Sequence, residues 1–145
     1  MKRRWLGLIS LMILLFLPFS MRPKPQEGTV SAFAELEERV QTELLASAIA
    51  LLTPPDTPYV ARLAVGGVLL NRLEHPSFGD SLFEVVSTQG VTVLPDRADE
   101  GALQAAQDLL SGLNPLPKAL YFGRGAPPEG EDNAVSVGGY WFSEK

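Results

Sequence analysis

The stretch that most restricts the fold is Thr53-Pro54-Pro55-Asp56-Thr57-Pro58, set between two apolar segments. Proline has no amide hydrogen to donate and pushes its predecessor out of the helical region, so no helix can run through this stretch. Upstream, Leu36, Val40, Leu44 and Ala48 recur every four residues, with Leu45 and Leu52 alongside. That spacing predicts an amphipathic helix from about Ala32, with the charges of Glu35–Arg39 on its solvated face. Downstream, Pro58 suits a first helical turn and Thr57 can cap it. Leu63, Ala64, Gly67, Val68 and Leu70 leave this second helix apolar nearly all round, which predicts a central, buried position ending near Leu73. Gly66 and Gly67 each weaken a helix by roughly 1 kcal/mol relative to Ala, and their use is to let a neighbour approach the backbone.

Beyond "EHPSFGD", Ser81 and Glu84 form a capping box that opens a short helix reaching about Ser87. "TQGVTVLPDR" reads as loop. "ADEGALQAAQDLLSGL" is an amphipathic helix with Asp99 and Glu100 in its first turn and Gly112 as its C-terminal cap. Leu103, Ala106, Leu109, Leu110 and Leu113 are expected to share its inner face. "KALYFGRG" and "VSVGGYWFS", separated by "GAPPEGEDN", predict a small C-terminal β-hairpin packed against the helices. The expected fold is α+β and mainly α, a small domain over residues 32–145, preceded by a linker at 22–31 and an N-terminal hydrophobic segment at 1–21.

That segment carries the charge asymmetry. Residues 1–26 hold five basic residues and no acid, whereas the remaining 119 hold seven basic residues and all 17 acids, a net of −10. So acidic a body lacks the clustered Lys and Arg that nucleic acid requires, and nucleic-acid binding is set aside. Lys2, Arg3 and Arg4 precede the continuous apolar run Trp5–Met21. Its 17 residues lie between a signal-peptide core and a bilayer span, and an A-x-A arrangement follows at Ala32 and Ala34. Cleaved signal and membrane anchor are both compatible with it. In either case Lys2–Arg4 stay inside and the body is exported, secreted to the cell wall or held at the outer face of the cytoplasmic membrane. The chain has no cysteine, so a disulfide framework and thiolate metal sites are excluded.

Few residues can carry chemistry. His75 is the only histidine and sits in a helix-to-loop turn, too isolated for zinc or a Ser-His-Asp arrangement. The glycine pairs lack phosphate-loop or dinucleotide spacing. Neither a metal nor an organic cofactor is expected. Carboxylates remain, and Asp56 stands out because burial between two apolar helices would raise its pKa toward that of a general acid. Capping or plain exposure is the competing reading for Asp56.

In order, Pro58-Tyr59, Leu63-Ala64-Val65-Gly66, Leu70-Asn71-Arg72, Pro76-Ser77-Phe78, "FEVVSTQG", "NPLPKALYF" and "VGGYWF" resemble the SleB-type cell wall hydrolases, the spore-cortex-lytic enzymes. The resemblance covers essentially the whole chain after the linker. It implies a lysozyme-like fold and cleavage of the β-1,4 bond of peptidoglycan glycan strands by a lytic-transglycosylase reaction. That reaction needs one buried carboxylic acid, which protonates the leaving oxygen and then serves as base toward the sugar's own 6-hydroxyl. No second carboxylate is needed to activate water, unlike in ordinary glycosidases. By the same resemblance, Tyr59, Asn71 and Tyr140 are substrate-binding positions and the glycan strand is the partner.

The chain departs from the family pattern at its centre. The family's first acidic position falls on Leu52 and its second on Asp56, Pro54-Pro55 replaces an arginine, and Tyr140 replaces the closing histidine. The glutamine of the middle loop is also lost, Gly90 being followed by Val91-Thr92. Leucine cannot donate a proton, so the expected chemistry is doubtful here, with Asp56 or Glu43 the nearest substitute acids. Three readings follow: a non-catalytic relative that binds glycan or a partner in the envelope, an active enzyme with a relocated acid, and an exported helical interaction domain.

Overall fold

The computed structural model describes residues 27–90 and 98–145. The chain divides into two compact units, residues 1–35 and 36–145, and the second holds the domain. Among the described residues four helices precede three strands: α1 Glu27–Leu52, α2 Tyr59–Glu74, α3 Leu82–Ser87, α4 Glu100–Leu110, β1 Tyr121–Arg124, β2 Val135–Val137 and β3 Tyr140–Ser143. The expected α+β, mainly α, class is thus present. The apolar run Trp5–Met21 and the expected loop and lost glutamine at 91–97 lie outside the described residues. No described helix is long and apolar enough to cross a membrane.

α1 is helical from the first described residue, Glu27, and so covers part of the stretch read as linker, ahead of the expected start at Ala32. No proline lies between Pro25 and Pro54 to interrupt a helix there. The helix stops where expected. Thr53 still donates its amide to the Ile49 carbonyl (2.9 Å), and its hydroxyl donates to the same oxygen (2.6 Å). Pro54 and Pro55 then have nothing to donate. The buried stripe of α1 is Leu45, Ala46, Ala48 and Ile49, and Val40 is exposed, contrary to the expected stripe.

α2 is the buried central helix that its composition predicts, with Ala61 through Leu69 buried. Its cap position is Pro58 rather than Thr57, and no side chain caps it. Instead, the Pro58 carbonyl accepts from the Ala61 and Arg62 amides at 2.9 and 3.2 Å. A Cβ on Gly66 would lie 2.5 Å from Leu109 Cδ1 and 2.6 Å from Ile49 Cδ1. The glycine therefore admits α1 and α4 to the backbone of α2, the close approach anticipated for it.

α3 starts at the predicted capping box, where Ser81 Oγ accepts from the Glu84 amide at 3.2 Å. α4 is capped by Asp99, which accepts from the Ala102 amide at 3.1 Å. It ends in a Schellman motif at Gly112 (φ +104°), with Gly112 donating to Leu109 and Leu113 to Asp108 at 3.0 and 2.9 Å. Its inner face is Ala102, Ala105, Ala106 and Leu109, whereas Leu103, Leu110 and Leu113 are exposed. Alanines face α2 where the helices meet closely, and Leu109 fits the same seam because it lies over Gly66.

The C-terminal strands form a three-stranded antiparallel sheet, β1-β3-β2, rather than one hairpin of the two apolar runs. "VSVGGYWFS" folds on itself through Gly138-Gly139, whose φ values of +56° and +84° suit a two-residue turn. β1 then pairs with the other side of β3. One hydrophobic cluster joins α1, α2, α3 and α4; the second joins α2 to Ala119, Tyr140 and Phe142. Leu52 packs against both.

Candidate functional site

The break between α1 and α2 is a tight, braced turn. The Thr57 amide donates to the Pro54 carbonyl at 2.9 Å, which places Pro55 and Asp56 at the apex. Arg62, one turn into α2 and 3% exposed, reaches back beneath it. Its Nη2 donates to the carbonyls of Pro54 (3.2 Å) and Thr53 (3.4 Å) and to Asp99 Oδ2 (3.1 Å), while Nη1 pairs with Asp99 Oδ1. The break is thereby fastened to the N-terminus of α4. Arg62 Nε has no partner among the described residues.

Leu52, onto which the resemblance puts the family's first acidic position, is half-buried among apolar side chains. The Leu52 carbonyl accepts from the Tyr140 hydroxyl at 3.1 Å. Asp56 is exposed at the turn apex and makes no side-chain hydrogen bond among the described residues, so it lacks the expected burial between two apolar helices. The cause is the turn itself, whose apex points away from both hydrophobic clusters. Glu43 is exposed on α1. Asp99 lies nearest the break by contact, but the hydrogen bond from Arg62 holds its pKa below the usual carboxylate value against the opposing effect of partial burial. The Ala102 amide adds to that lowering. Asp99 is therefore ionised where a general acid must carry a proton.

The three expected substrate-binding residues do not converge on one open surface. Tyr59 is 40% exposed, and its hydroxyl donates to Asp108, whose other oxygen accepts from Gln104 Nε2 at 3.1 Å. Desolvation first, then the hydrogen bond and charge of Asp108, push its pKa up to about 12. Asn71 is engaged internally: Nδ2 donates to the Leu116 and Ala119 carbonyls, each at 2.8 Å, and Oδ1 accepts from Asn114 Nδ2 at 2.8 Å. Tyr140 is 3% exposed in the second cluster, with its hydroxyl on Leu52. Asn71 and Tyr140 thus serve the fold, and Tyr59 alone presents a surface.

His75 is half-buried at the end of α2, edge-on to Phe78, and its Nδ1 accepts from the Ser77 amide at 3.2 Å. Among the described residues no group of His, Asp and Glu is arranged to hold a metal ion. A cavity of about 540 Å³ opens between the 116–119 segment, residues 130–135 and the end of β3, and none of the break residues lines it. Sequence reasoning missed the Arg62–Asp99 pair. The available signal was a lone arginine in an apolar helix; its partner, 37 residues on, has no local signature.

The sequence profile of a family described as cell wall hydrolase matches residues 56–137. A spore cortex-lytic enzyme of Halalkalibacterium halodurans is 37% identical over 71 residues, 45% of this chain. The match spans only 22% of that relative's length. Two solved structures share the fold. The catalytic domain of the germination-specific lytic transglycosylase SleB from Bacillus anthracis has a TM-score of 0.58 and 21% identity, covering 70% of this chain and 92% of that one. The catalytic domain of the Bacillus cereus SleB protein has a TM-score of 0.55 and 24% identity, covering 73% and 89%. At these identities the likeness concerns the fold, and it agrees with the expected lysozyme-like architecture.

Proposed function

The chain belongs to the cell wall hydrolase family, of SleB type, and from that premise we propose that its domain binds peptidoglycan glycan strands without cleaving them. One observation supports this reading: Leu52, onto which the resemblance puts the family's first acidic position, packs against both hydrophobic clusters and has no proton to donate. Asp56 is solvated, and Asp99 is held ionised by Arg62. A general acid contributes roughly 10²–10⁴-fold to such a reaction. The basic n-region and apolar run Trp5–Met21 support export of the domain to the envelope.

The test uses the purified full-length chain with purified peptidoglycan. Retention on sacculi without release of anhydro-muropeptides is the expected result. Release that disappears in Asp56→Asn would identify a relocated acid and overturn the non-catalytic reading. Absence of retention at low salt would overturn the wall role. A phosphatase fused after Lys145 should be active only if the body is exported.

A further inference from the structure

Trp141 lies on the face of the sheet opposite Tyr140 and Phe142. Strand alternation requires this, and register places Trp141 between Gly123 of β1 and Ser136 of β2. A Cβ on Gly123 would meet Nε1, Cε2 and Cζ2 of the indole at 2.6, 2.8 and 2.8 Å. The indole therefore crosses from β3 and rests on the backbone of β1, filling the space a side chain would occupy. Gly123 has no positive φ. Close approach is thus the physical use of glycine here, in a strand where glycine otherwise weakens pairing. Trp141 remains only half-buried, so part of the ring is open to solvent. Neither its indole N–H nor the hydroxyl of the exposed Ser136 has a side-chain hydrogen bond among the described residues.

We propose that Trp141, seated on Gly123 and flanked by Ser136, is a stacking platform for one pyranose ring of a β-1,4-linked N-acetylated amino-sugar strand. The inference rests on the glycan-binding reading above and names a residue outside the family's expected site. The C–H face of an equatorially linked pyranose is apolar and slightly positive, which suits the negative face of an indole. Two unengaged polar groups beside the ring match the hydroxyl and N-acetyl groups at its rim. The row Gly123–Trp141–Ser136 carries no charge, which suits a neutral sugar rather than an ionic partner. Docking costs little side-chain entropy because the glycine seat already holds the indole in place.

The chain has two tryptophans, Trp5 and Trp141, so Trp5→Phe leaves Trp141 as the sole indole. Titrating that full-length variant with the tetrasaccharide of β-1,4-linked N-acetylglucosamine should shift its emission saturably and shield it from iodide quenching. Gly123→Ala, which the backbone accepts but which displaces the ring, should weaken binding about three- to tenfold, as should Trp141→Leu. Circular dichroism confirms that the variants compared are folded. An unchanged emission, or a change that follows protein concentration rather than sugar, overturns the platform. Retention on sacculi undiminished in Gly123→Ala and Trp141→Leu also overturns it, while leaving the glycan-binding reading intact. Loss of retention by the unmodified chain overturns that reading instead.

Discussion

Asn71 shows how a position assigned to substrate by resemblance can be absorbed by the fold. Its amide nitrogen holds the Leu116 and Ala119 carbonyls, and its oxygen holds Asn114, whose own oxygen accepts from the Leu116 amide at 3.2 Å. Both amide hydrogens are committed, so Asn71 can donate to a ligand only by breaking one of these bonds. Asn71→Ala leaves two carbonyls and one amide unpaired in a half-buried site, which should cost about 2–4 kcal/mol. The expected result is a lower urea midpoint with unchanged sacculus retention per folded molecule. Lost retention at unchanged stability would return Asn71 to the binding surface. Tyr59 is the opposite case, with an exposed ring and a hydroxyl on Asp108. Its raised pKa favours the folded state at pH below about 10, and that contribution disappears as pH rises through about 12.

The elements meet through glycines that the residue pattern marked in advance. Gly66 is the contact point of three helices, and two opposing effects decide the outcome of Gly66→Ala. Alanine improves helix propensity by about 1 kcal/mol. Its Cβ would enter within 2.5–2.6 Å of Leu109 and Ile49, both fully or nearly fully buried. Overpacking of this kind costs about 1–3 kcal/mol, because the ends of both side chains must move aside within the buried cluster. The net expectation is destabilisation of about 1 kcal/mol, read as a lower midpoint in chemical denaturation. A stabilised variant would mean that α1 or α4 can shift away from α2. Some helix ends were also legible, since Thr53-Pro54, Ser81 and Gly112 act within a few residues of themselves. Asp99, however, is the cap of α4 rather than a first-turn residue, and Pro58 takes the place expected of Thr57. The face of α4 was not legible. Hydrophobicity favours Leu103, Leu110 and Leu113, but the seam against α2 takes alanines at Ala102, Ala105 and Ala106 and a leucine at Leu109, over Gly66, and only the packed structure defines that width.

At the scale of the whole molecule, the ordered set of short motifs was enough to read the family and the lysozyme-like fold, because each motif reports a local requirement. The candidate site was less legible, since it depends on pairings between distant positions. The Tyr140 hydroxyl on Leu52 spans 88 residues, and Arg62 on Asp99 spans 37. The latter pair fastens the proline break to α4, and its two members differ in solvent access: Arg62 is 4% exposed and Asp99 39%. Asp99→Asn retains a good helix cap but strands a buried guanidinium with only two carbonyls. Arg62→Met leaves a carboxylate that water and the α4 cap still serve. The first should therefore be the more damaging, by about 1–3 kcal/mol after allowing for the partial exposure of Asp99. Because Asp99 has a lowered pKa when folded, its contribution is present above its unfolded value of about 3.9 and is lost as pH falls through the folded value. Urea denaturation at neutral and acid pH should show the gap between the unmodified chain and Asp99→Asn closing below about pH 4. A gap that persists in acid, or a larger loss in Arg62→Met, would mean that carbonyl contacts rather than the ion pair hold the break.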